Sequence, residues 1–538
     1  MRETLLVMSG PVCAGKSTLA EGLERRHGAR RFSSRRLLLQ RLGDAGAGRL
    51  SLQAAGEALD RETQGRWLAE ALRTQVQGQA GPWVVDSVRI RPQVEALRQA
   101  FGARVVHVHL TAPASVRERR YDTRRAAAGH DPEGTSFARL SEDGTERGVD
   151  ALAEVADLVL DTSRESAEAV LVRSAARLGL FGRSVERLVD VLIGGQYGSE
   201  GKGHLCAYLA PEYDLLVRVG GPNAGHRVYE EPMPYTFHQL PSGTRAAPRA
   251  RVVVGPGAVL SPPRVLQEIR DCGLTPERLS IDPQASVIEP QDVMNEKHLQ
   301  DSIASTGQGV GYATARKVLR TAAEPGVVLA RDVAELRPFL RPTREVLDDA
   351  FARGQRILLE GTQGTGLSLH HGPYPYVTSR DTTASGCLAE AGIAPGRVRR
   401  TVLVCRTYPI RVQNPDVPET TSGPLEGELT WAELSRRSAI AEDELRQAER
   451  TSTTNRQRRV GEFDWALLRQ AVSLNAPTDV ALTFLDYLAI EHRAARRFEQ
   501  LRPEARHFVE ELERVAGAPV SLLSTRFHPQ GIIDRRAW

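Results

Sequence analysis

A glycine-rich segment with a single lysine constrains this chain more than any other sequence feature. Residues 194–204 read Gly-Gly-Gln-Tyr-Gly-Ser-Glu-Gly-Lys-Gly-His and directly follow an apolar run at residues 188–193. Glycines free the backbone to wrap an anion, and Lys202 supplies a point charge for a phosphoryl group. The position of this lysine does not fit the usual phosphate-loop spacing. The segment therefore predicts a strand, a phosphate-binding turn of unusual spacing, and a helix.

A second segment of the same kind lies near the start of the chain. Residues 5–8 are apolar, and residues 10–17 fit the pattern G-x-x-x-x-G-K-[ST]. Two such openings predict two α/β units, each with its own nucleotide-type site. A short connector at residues 179–187 places the boundary, so we expect one domain at 1–180 and another at 188–538.

The composition argues against several classes of protein. Hydrophobic residues make up 41% of the 538 residues and charged residues 26%, which is ordinary for a globular protein. The net charge of +4 gives no case for a nucleic-acid partner. No apolar run approaches the roughly 20 residues of a membrane span, and the five cysteines are scattered like reduced thiols. We therefore expect a cytoplasmic protein whose partners are neither nucleic acid nor membrane.

The N-terminal phosphate loop supplies a set of candidate nucleotide ligands. The set comprises Gly10, Gly15, Lys16, Ser17 and Thr18. Backbone amides of the loop would cradle the phosphates, the lysine would reach the outer ones, and the Ser17 hydroxyl would ligate Mg²⁺. Asp86 ends a predicted strand and is a candidate second-shell magnesium partner or catalytic carboxylate. The alternative for Asp86 is a helix N-cap.

This half of the chain resembles P-loop proteins of the nucleoside-monophosphate-kinase type, related to the dephospho-coenzyme-A kinase group. The resemblance rests on the phosphate loop, on Asp86-Ser-Val-Arg89 and on the arginine-rich stretch at residues 117–125. It implies a kinase with an arginine-bearing lid over the transferred phosphoryl group, and the lid candidates are Arg119, Arg120 and Arg124. A solvated basic helix face is the alternative for this stretch. The segment does not identify the acceptor.

From about residue 188 to residue 536 the chain resembles the adenylosuccinate synthetases. The matching motifs follow the family's order: the loop at 194–204, Asn-Ala-Gly-His at 223–226, a substrate-phosphate loop at 305–311, purine-wall segments at 360–365 and 371–379, and an aspartate-binding loop at 453–459. The resemblance implies an α/β domain with a central, mostly parallel sheet. It also implies a ligase that phosphorylates the purine six-position oxygen and then displaces that phosphate with the amine of L-aspartate.

The resemblance assigns roles residue by residue. His226 would hydrogen-bond the six-position oxygen, Lys202 would stabilise the migrating phosphoryl group, and Gln363 would face the purine. Ser199 and the Gly225 carbonyl would belong to the Mg²⁺ shell. Substrate-binding residues would be Asn223, Thr306, Thr378, Thr454, Arg456, Arg458 and, donated across a homodimer interface, Arg320. Triphosphate-binding residues would be Gly198, Glu200, Gly201, Gly203, His204, Phe484, Asp486 and Ser524.

Ser199 is the most informative departure from the family, which has an aspartate at this position. That aspartate takes the ring-nitrogen proton of inosine monophosphate, whereas a serine is uncharged and a poor base at neutral pH. A guanine base carries an amino group beside that nitrogen, and the shorter serine leaves room for it. The pattern is similar to the phage-type aminodeoxyadenylosuccinate synthetases, which join aspartate to deoxyguanylate. We therefore favour guanylate, as GMP or dGMP, over inosinate.

The phosphoryl donor is open as well. The family reads guanine with a Thr-Lys-x-Asp segment, and Phe484 replaces its lysine here, although Asp486 is retained. Ser524 is followed by Thr525 and the bulky Arg526, where the family has glycine. Because a phenylalanine ring stacks on any purine, the donor could be ATP or GTP.

Two other interpretations of the whole chain remain. One is an ordinary adenylosuccinate synthetase, using inosinate and GTP, with a regulatory P-loop domain. The other is a nucleotide sensor that kept the fold after losing its base at Ser199. Retention of Lys202, His226 and Arg456 speaks against the sensor, since a sensor has no need of an aspartate site.

Overall fold

The computed structural model describes residues 4–42, 49–77, 79, 81–128, 136–138, 148–181, 186–320, 326–412, 422–451 and 455–538. Contacts within the chain divide it into two compact units, Met1–Gly182 and Arg183–Trp538. Over these described ranges, no helix has both the length and the apolar character that crossing a bilayer requires.

The N-terminal unit is built on a parallel sheet. Its described strands are β1 (Leu5–Ser9), β2 (Arg30–Ser33), β3 (Trp83–Asp86), β4 (Val105–Thr111) and β5 (Leu158–Asp161). They pair in parallel in the order β2-β3-β1-β4-β5. Its described α-helices are Lys16–His27, Ser34–Leu42, Arg49–Thr63, Arg66–Val76, Arg91–Phe101, Ala114–Ala128 and Ala167–Arg177.

Both faces of this sheet are covered by helices. Alternate side chains of β1 enter two different cores: Leu5 and Val7 pack in one, and Leu6 and Met8 pack in the other. Strands buried on both faces become continuous apolar runs, which is why β1 could be predicted from sequence. Strand β2 was not predicted, because only Phe32 in its sequence Arg-Arg-Phe-Ser is buried. The predicted α/β architecture with a parallel sheet is confirmed.

The described residues of the C-terminal unit form a larger sheet and three small ones. Its described strands are β6 (Val189–Gly194), β7 (Leu215–Arg218), β8 (His226–Val228), β9 (Tyr235–Phe237), β10 (Arg251–Val254), β11 (Val259–Leu260), β12 (Leu279–Ile281), β13 (Ser286–Val287), β14 (Ile357–Gly364), β15 (Val398–Arg406), β16 (Ile410–Val412), β17 (Glu428–Leu429), β18 (Arg458–Gly461), β19 (Asp479–Thr483), β20 (Val520–Ser524) and β21 (Ile532–Asp534). In this part of the chain the large sheet runs β12-β10-β7-β14-β6-β15-β19-β20-β21. Pairing is parallel throughout except at β20 and β21, which confirms the predicted mostly parallel sheet.

Helices pack around the large sheet, and a central apolar core joins it to them. The described α-helices of this unit are Lys202–Leu209, Pro262–Asp271, Pro290–Ile303, Val310–Leu319, Thr343–Ala352, Ala384–Ala391, Trp431–Ser438, Glu442–Ala448, Trp465–Asn475 and Pro503–Ala516. The first of these follows the glycine-rich turn after β6, as the sequence predicted.

Strand order brings the sequence motifs to one edge of the large sheet. Five neighbouring parallel strands, β7-β14-β6-β15-β19, have their carboxyl ends at the same edge. The segments that follow or end these strands carry the glycine-rich loop, the 223–226 motif, Gln363, Arg406 and the 484–486 segment. Ligands of open α/β sheets bind at this edge, so the fold itself locates the candidate site.

Candidate active site

The glycine-rich loop forms a cradle around a buried ion pair. Glu200 is fully buried, and its Oε1 accepts hydrogen bonds from the backbone N–H groups of Gln196 at 3.0 Å and Gly198 at 2.7 Å. Its Oε2 lies 2.6 Å from Lys202 Nζ, which also donates to the Gly198 carbonyl at 3.2 Å. The two side chains of this pair are both buried.

The backbone of this loop requires glycine. Gly198 and Gly201 have φ values of 98° and 84°, in the left-handed region that side chains disfavour. Gly201 is the N-cap of the helix Lys202–Leu209, and this N-terminus has no side-chain cap within the described residues. A helix N-terminus beside a lysine attracts phosphate in other proteins, and we call this loop the anion cradle of the C-terminal unit. His204 lies in the first turn, and a Cβ on Gly203 would lie 2.8 Å from the His226 Cβ.

Ser199 sits in this loop between Gly198 and Glu200 and is half-buried. Its backbone carbonyl accepts a hydrogen bond from Arg406 at 3.2 Å. The hydroxyl carries no charge, so a proton acceptor at this end of the site must come from another residue.

His226 and Glu360 form a buried dyad. His226 Nδ1 lies 2.5 Å from Glu360 Oε1, although the two residues are 134 positions apart in sequence. Glu360 Oε2 accepts the Ser242 backbone N–H at 2.7 Å, and the Ser242 hydroxyl donates to the same carboxylate. Glu360 is therefore held in a fixed orientation against the imidazole.

The electrostatics of the dyad determine its resting protonation state. Burial, together with the charge of Arg218, lowers the pKa of His226 to about 4. Burial opposes ionisation of Glu360, but hydrogen bonding from His226 and the positive charges around it outweigh burial and lower its pKa to about 2. At neutral pH the imidazole is thus neutral and donates from Nδ1 to a carboxylate. Its Nε2 then presents a lone pair that can accept a proton.

Six of the buried polar atoms that have no hydrogen-bond partner within the described part of the chain belong to predicted site residues. They are His226 Nε2, His204 Nε2, Asn223 Oδ1, Gln363 Nε2, Arg456 Nη1 and Arg458 Nε. A buried polar atom without a partner costs about 1–3 kcal/mol, so such atoms call for a missing partner. Other such atoms, including Thr343 Oγ1 and Arg506 Nε, lie on residues with no predicted ligand contact.

Gln363 connects the end of β14 to the glycine-rich loop. Its φ is 58°, and a Cβ on Gly198 would lie 2.9 Å from the Gln363 Cα. Its Oε1 accepts from the Thr362 hydroxyl at 2.9 Å, which leaves its amide nitrogen as the unpartnered group.

The two predicted phosphate-binding threonines lie in neighbouring segments. Thr306 belongs to a loop in which the Gly309 and Gly311 N–H groups donate to Glu296. Thr378 is half-buried, and a Cβ on Gly311 would lie 3.6 Å from the Cβ of the next residue, Ser379. The structure therefore brings these two segments together.

The predicted aspartate loop is anchored by a buried carboxylate. Glu449 Oε2 lies 3.0 Å from Arg458 Nη1, and its Oε1 lies 2.5 Å from Arg406 Nη2 and 2.8 Å from the Tyr487 hydroxyl. Burial opposes ionisation of Glu449, but the two arginines outweigh it and lower its pKa to about 2. Arg458 is thus partly engaged inside the protein. Thr454 lies outside the described residues.

The segment after β19 touches the anion cradle. The Thr483 hydroxyl donates to the Glu200 carbonyl at 2.7 Å, and a Cβ on Gly201 would lie 3.7 Å from the Phe484 ring. One face of that ring is covered by the Arg406 guanidinium, 3.8 Å from the ring centroid. Ser524, which ends β20, is buried and donates to the Arg526 carbonyl at 3.2 Å.

Asp486 is already paired within the protein. Its Oδ2 lies 3.0 Å from Arg493 Nε, and Arg493 also contacts Glu444 at 2.7 Å. Burial raises the pKa of Asp486 to about 6 against the opposing effect of Arg493. Asp486 thus shares one carboxylate oxygen with Arg493.

Three residues of the site were missed by sequence reasoning. They are Ser242, Arg406 and Glu449. Glu360 is the first residue of the predicted purine-wall segment at 360–365, but the sequence analysis gave it no role. A carboxylate near the end of a buried strand is nevertheless a signal of function. The sequence around Ser242, Arg406 and Glu449 gives no signal of function. Ser242 contacts Glu360, and Arg406 contacts Glu449, across long stretches of sequence.

In the N-terminal unit, the phosphate loop joins β1 to the first helix. Lys16 Nζ donates to the carbonyls of Gly10 at 2.5 Å and Pro11 at 2.8 Å. Gly15, with φ 99°, caps the helix, and Ser17 and Thr18 are exposed in its first turn. The structure brings these five predicted residues together around one helix N-terminus.

Asp86 lies at the end of β3, in register with Met8 of β1. It is paired with Arg31, whose Nε lies 3.1 Å from its Oδ2. The alternative of a helix N-cap is wrong, because the next helix begins at Arg91 and its N-cap is Ile90.

The candidate lid arginines lie on the helix Ala114–Ala128. Arg120 donates to the Thr162 hydroxyl at 2.8 Å, to the Thr162 carbonyl at 2.7 Å and to the Cys13 carbonyl at 3.3 Å. It therefore braces the phosphate loop. Arg124 is exposed and lies 5.8 Å from the Tyr121 ring.

A mostly parallel α/β sheet with a lysine-bearing anion cradle and a buried His–Glu dyad at its carboxyl edge defines a nucleotide-dependent α/β enzyme. The family model for adenylosuccinate synthetase matches residues 191–334 and 327–493, and a model for an AAA domain matches residues 6–147. The chain belongs to the adenylosuccinate synthetase family. The predicted fusion of a synthetase-type ligase unit to a kinase-like P-loop unit is confirmed.

Curated relatives support this assignment over the C-terminal unit. The adenylosuccinate synthetase of Thermococcus onnurineus is 36% identical over 355 residues, which cover 64% of this chain and 98% of the relative. That of Methanocaldococcus jannaschii is also 36% identical over 355 residues, covering 64% and 96%.

Two solved structures share the fold. Fully ligated adenylosuccinate synthetase from Plasmodium falciparum is 20% identical, with a TM-score of 0.57, covering 65% of this chain and 100% of that one. Succinoaminodeoxyadenylate synthetase of cyanophage S-2L, bound to dGMP and to dATP as an energy donor, is 28% identical, with a TM-score of 0.55 and coverage of 65% and 96%.

Proposed function

We propose that the C-terminal unit ligates L-aspartate to the six-position of a guanine nucleotide, GMP or dGMP. A nucleoside triphosphate supplies the phosphoryl group of the intermediate, and the product is a 2-amino-(deoxy)adenylosuccinate. The observation that carries the proposal is the His226–Glu360 dyad, whose Nε2 is buried and open, next to a cradle that holds Ser199 in place of a carboxylate. Similarity to the cyanophage synthetase bound to dGMP supports it.

The dyad accounts for the proton that Ser199 cannot take. As the six-position oxygen attacks the outermost phosphorus of the triphosphate, the ring nitrogen loses its proton to His226 Nε2, and the nucleoside diphosphate leaves. Glu360 stabilises the imidazolium so formed. When the aspartate amine bonds to the six-position carbon, the carbon–oxygen bond breaks, His226 returns its proton to the departing phosphate, and the amine releases a proton to water. Lys202 stabilises the transferred phosphoryl group.

The residues of the cradle fit Mg²⁺ carried in by the triphosphate. The candidate oxygens, the Ser199 hydroxyl and the Gly225 carbonyl, are neutral, and Mg²⁺ bound to phosphates needs few protein ligands. Within the described residues, no cluster of three acidic, histidine or cysteine side chains could hold a resident metal. Bound there, Mg²⁺ would neutralise phosphate charge.

We also propose that the ligase works as a homodimer in which Arg320 reaches the substrate phosphate of the partner. Arg320 is exposed at the end of the helix Val310–Leu319. On that helix Val318 and Leu319 are each 68% exposed, and on the helix packed against it Met294 is 59% exposed. Exposed apolar side chains near a cation suit a buried interface.

For the N-terminal unit we propose a nucleotide kinase that uses a Mg²⁺–triphosphate. Three features support this activity: the phosphate loop lies between a strand and a helix, Ser17 is exposed, and Arg120 hydrogen-bonds the loop at the Cys13 carbonyl. Its acceptor would be a nucleoside monophosphate, either a precursor of the ligase substrate or the ligase product.

One assay tests the ligase proposal. The full chain is given L-aspartate, Mg²⁺ and ATP or GTP with dGMP, GMP or IMP, and the succino-product is followed by mass. We expect product with a guanylate. Product with IMP alone would favour an ordinary adenylosuccinate synthetase, and no product with any acceptor would favour a sensor.

The substitution Ser199→Asp tests the reason for the substrate. The longer carboxylate would crowd the guanine amino group and provide a base for inosinate, so kcat/KM for guanylate should fall about tenfold or more relative to IMP. Ser242→Ala, by contrast, removes a hydrogen bond to Glu360 and should lower kcat/KM for guanylate and for IMP together. Unchanged guanylate use by Ser199→Asp would overturn the steric argument.

A further inference from the structure

The side-chain amide of Gln363 is anchored through its oxygen. Gln363 is 8% exposed and lies against the glycine-rich loop, where a Cβ on Gly198 would be 3.6 Å from the Gln363 Cβ. Its Oε1 accepts a hydrogen bond from the Thr362 hydroxyl at 2.9 Å, and its Nε2 is buried without a partner among the described residues. Since a buried donor without an acceptor costs about 1–3 kcal/mol, this nitrogen suits a ligand atom that accepts hydrogen bonds.

Arg380 sets the direction of this amide. Its Nη1 donates to the Thr362 hydroxyl oxygen at 2.8 Å and to Gln363 Oε1 at 3.4 Å. A guanidinium has donors and no acceptor, so the Thr362 oxygen accepts from Arg380 and its single proton is left for Gln363 Oε1. If the amide turned over, its N–H groups would face the N–H groups of Arg380. The amide is therefore fixed with its oxygen towards Arg380 and its nitrogen away from it.

Arg380 is itself held by a buried carboxylate. It directly follows the predicted purine-wall segment at 371–379, and its Nε lies 2.6 Å from Glu390 Oε1. Glu390 Oε2 accepts the Gly220 backbone N–H at 3.1 Å. A Cβ on Gly220 would lie 2.2 Å from the Thr362 hydroxyl oxygen, so these segments pack in close contact. The guanidinium thus has little room in which to reorient.

We propose that Arg380 is a positioning residue for substrate selection: it fixes the Gln363 amide as a hydrogen-bond donor to the six-position of the purine, so that the site accepts an oxygen there and rejects an amino group. Guanine carries an acceptor oxygen at this position, whereas adenine and 2,6-diaminopurine carry an amino donor. An amino group opposite Gln363 Nε2 would leave two donors facing each other without an acceptor. The inference rests on the proposed function, in which Gln363 faces the purine, and adds the residue that distinguishes the two substituents.

The test compares dGMP with the deoxynucleoside monophosphate of 2,6-diaminopurine, using the full chain. The KM of dGMP is measured from the succino-product, and the diaminopurine nucleotide is measured as an inhibitor of the same reaction. The two bases differ at the six-position and in the protonation of the neighbouring ring nitrogen, and the substitutions in the test act on the first difference alone. In the unmodified chain the inhibition constant should exceed the KM of dGMP about tenfold or more.

Two variants release the amide in different ways. The double variant Arg380→Met with Glu390→Gln removes both charges together, which avoids a buried unpaired carboxylate. The amide can then turn over and offer its oxygen to an amino group, so the ratio of inhibition constant to KM should fall about tenfold or more. Thr362→Val removes only the hydroxyl and should lower the ratio about threefold. A loss of structure weakens both nucleotides, whereas release of the amide strengthens the binding of the diaminopurine nucleotide.

The control variants keep the amide fixed. Thr362→Ser retains the hydroxyl and should retain the ratio. Arg251 also donates to a glutamine oxygen, Gln355 Oε1 at 2.7 Å, and pairs with Asp349 at 2.9 Å, so Arg251→Gln is the matched control and should leave the ratio unchanged. A ratio near one in the unmodified chain would overturn the proposal. So would a folded double variant whose ratio stays within about twofold of the unmodified chain, and if that variant does not fold, an unchanged ratio in Thr362→Val.

Hydrogen exchange separates this proposal from the ligase proposal. Exchange of peptides that cover residues 357–367 reports binding at this site without catalysis and apart from the N-terminal unit. If no acceptor yields product, the ligase proposal fails, and stronger protection by dGMP than by the diaminopurine nucleotide, lost in the double variant, would still support the role of Arg380. Equal protection by both nucleotides or by neither, or a difference that the double variant retains, would refute it.

Discussion

The two anion cradles of this chain use the same elements and stabilise their lysines differently. In the N-terminal loop Lys16 is half-buried and contacts the carbonyls of Gly10 and Pro11. In the C-terminal loop Lys202 is buried, with its charge balanced by the fully buried Glu200. In the first cradle the lysine contacts backbone carbonyls, and in the second it contacts a buried carboxylate, which holds the lysine in place before any ligand arrives.

The largest expected effect comes from removing each lysine. Lys202→Ala should reduce ligase kcat about 10²–10³-fold, because the charge on the transferred phosphoryl group loses its stabilisation. Lys16→Ala should leave the succino-product rate within twofold while abolishing hydrolysis or transfer of phosphate at the N-terminal loop. Lys297→Ala, at an exposed lysine of the same unit, is the control. Equal loss of both activities in either variant would show that the cradles are not independent.

A smaller effect is expected on stability. Glu200→Gln leaves the Lys202 charge buried without its partner, so the C-terminal unit should lose about 3 kcal/mol of unfolding free energy. The corresponding change in the other unit, Asp86→Asn, breaks a partly exposed pair with Arg31 and should cost about 1 kcal/mol or less.

Hydrogen exchange resolved by peptide measures the two units separately, which avoids assuming a single unfolding transition. A loss for Glu200→Gln as small as that for Asp86→Asn would contradict the buried-pair account of the C-terminal cradle.

The smallest effect is a pH dependence that both units share. His226 and His107 are buried, and burial lowers the pKa of each from about 6.5 to about 4. Between these values the unfolded chain binds a proton that the folded chain does not, so stability falls as pH falls from 6.5 towards 4. Each histidine should contribute a loss of about 1 kcal/mol by pH 5.5.

The variants His226→Gln and His107→Gln should flatten the dependence, each in its own unit, whereas His298→Gln at an exposed histidine should not. The charged groups facing His226 are Arg218 and Lys202, which lower its pKa, and Glu360, which raises it. Ligase activity should fall on the same acidic limb, because only neutral His226 accepts a proton. An unchanged slope in His226→Gln would place the titration elsewhere.

The sequence predicted those features of the fold that depend on residues close together in the chain. Apolar strands followed by glycine–lysine turns identified β1, β6 and the two cradles, because these features depend on neighbours within about ten residues. The side-chain pairs of the site could not be predicted from the sequence. Nothing near His226 indicated that Glu360 would orient it, and nothing near Arg458 indicated that it would pair with Glu449. The polar strand β2 was missed for the same reason, since its place depends on β3.

The order β7-β14-β6-β15-β19 has an evolutionary consequence. Each segment at the carboxyl edge follows or ends its own strand, so Ser199, Gln363 and Phe484 lie on separate segments of the chain. Under the proposed ligase function, the acceptor can therefore change through Ser199 while Lys202 and Glu200 stay fixed. A sheet of this kind lets an enzyme change one substrate at a time while it keeps the same catalytic residues.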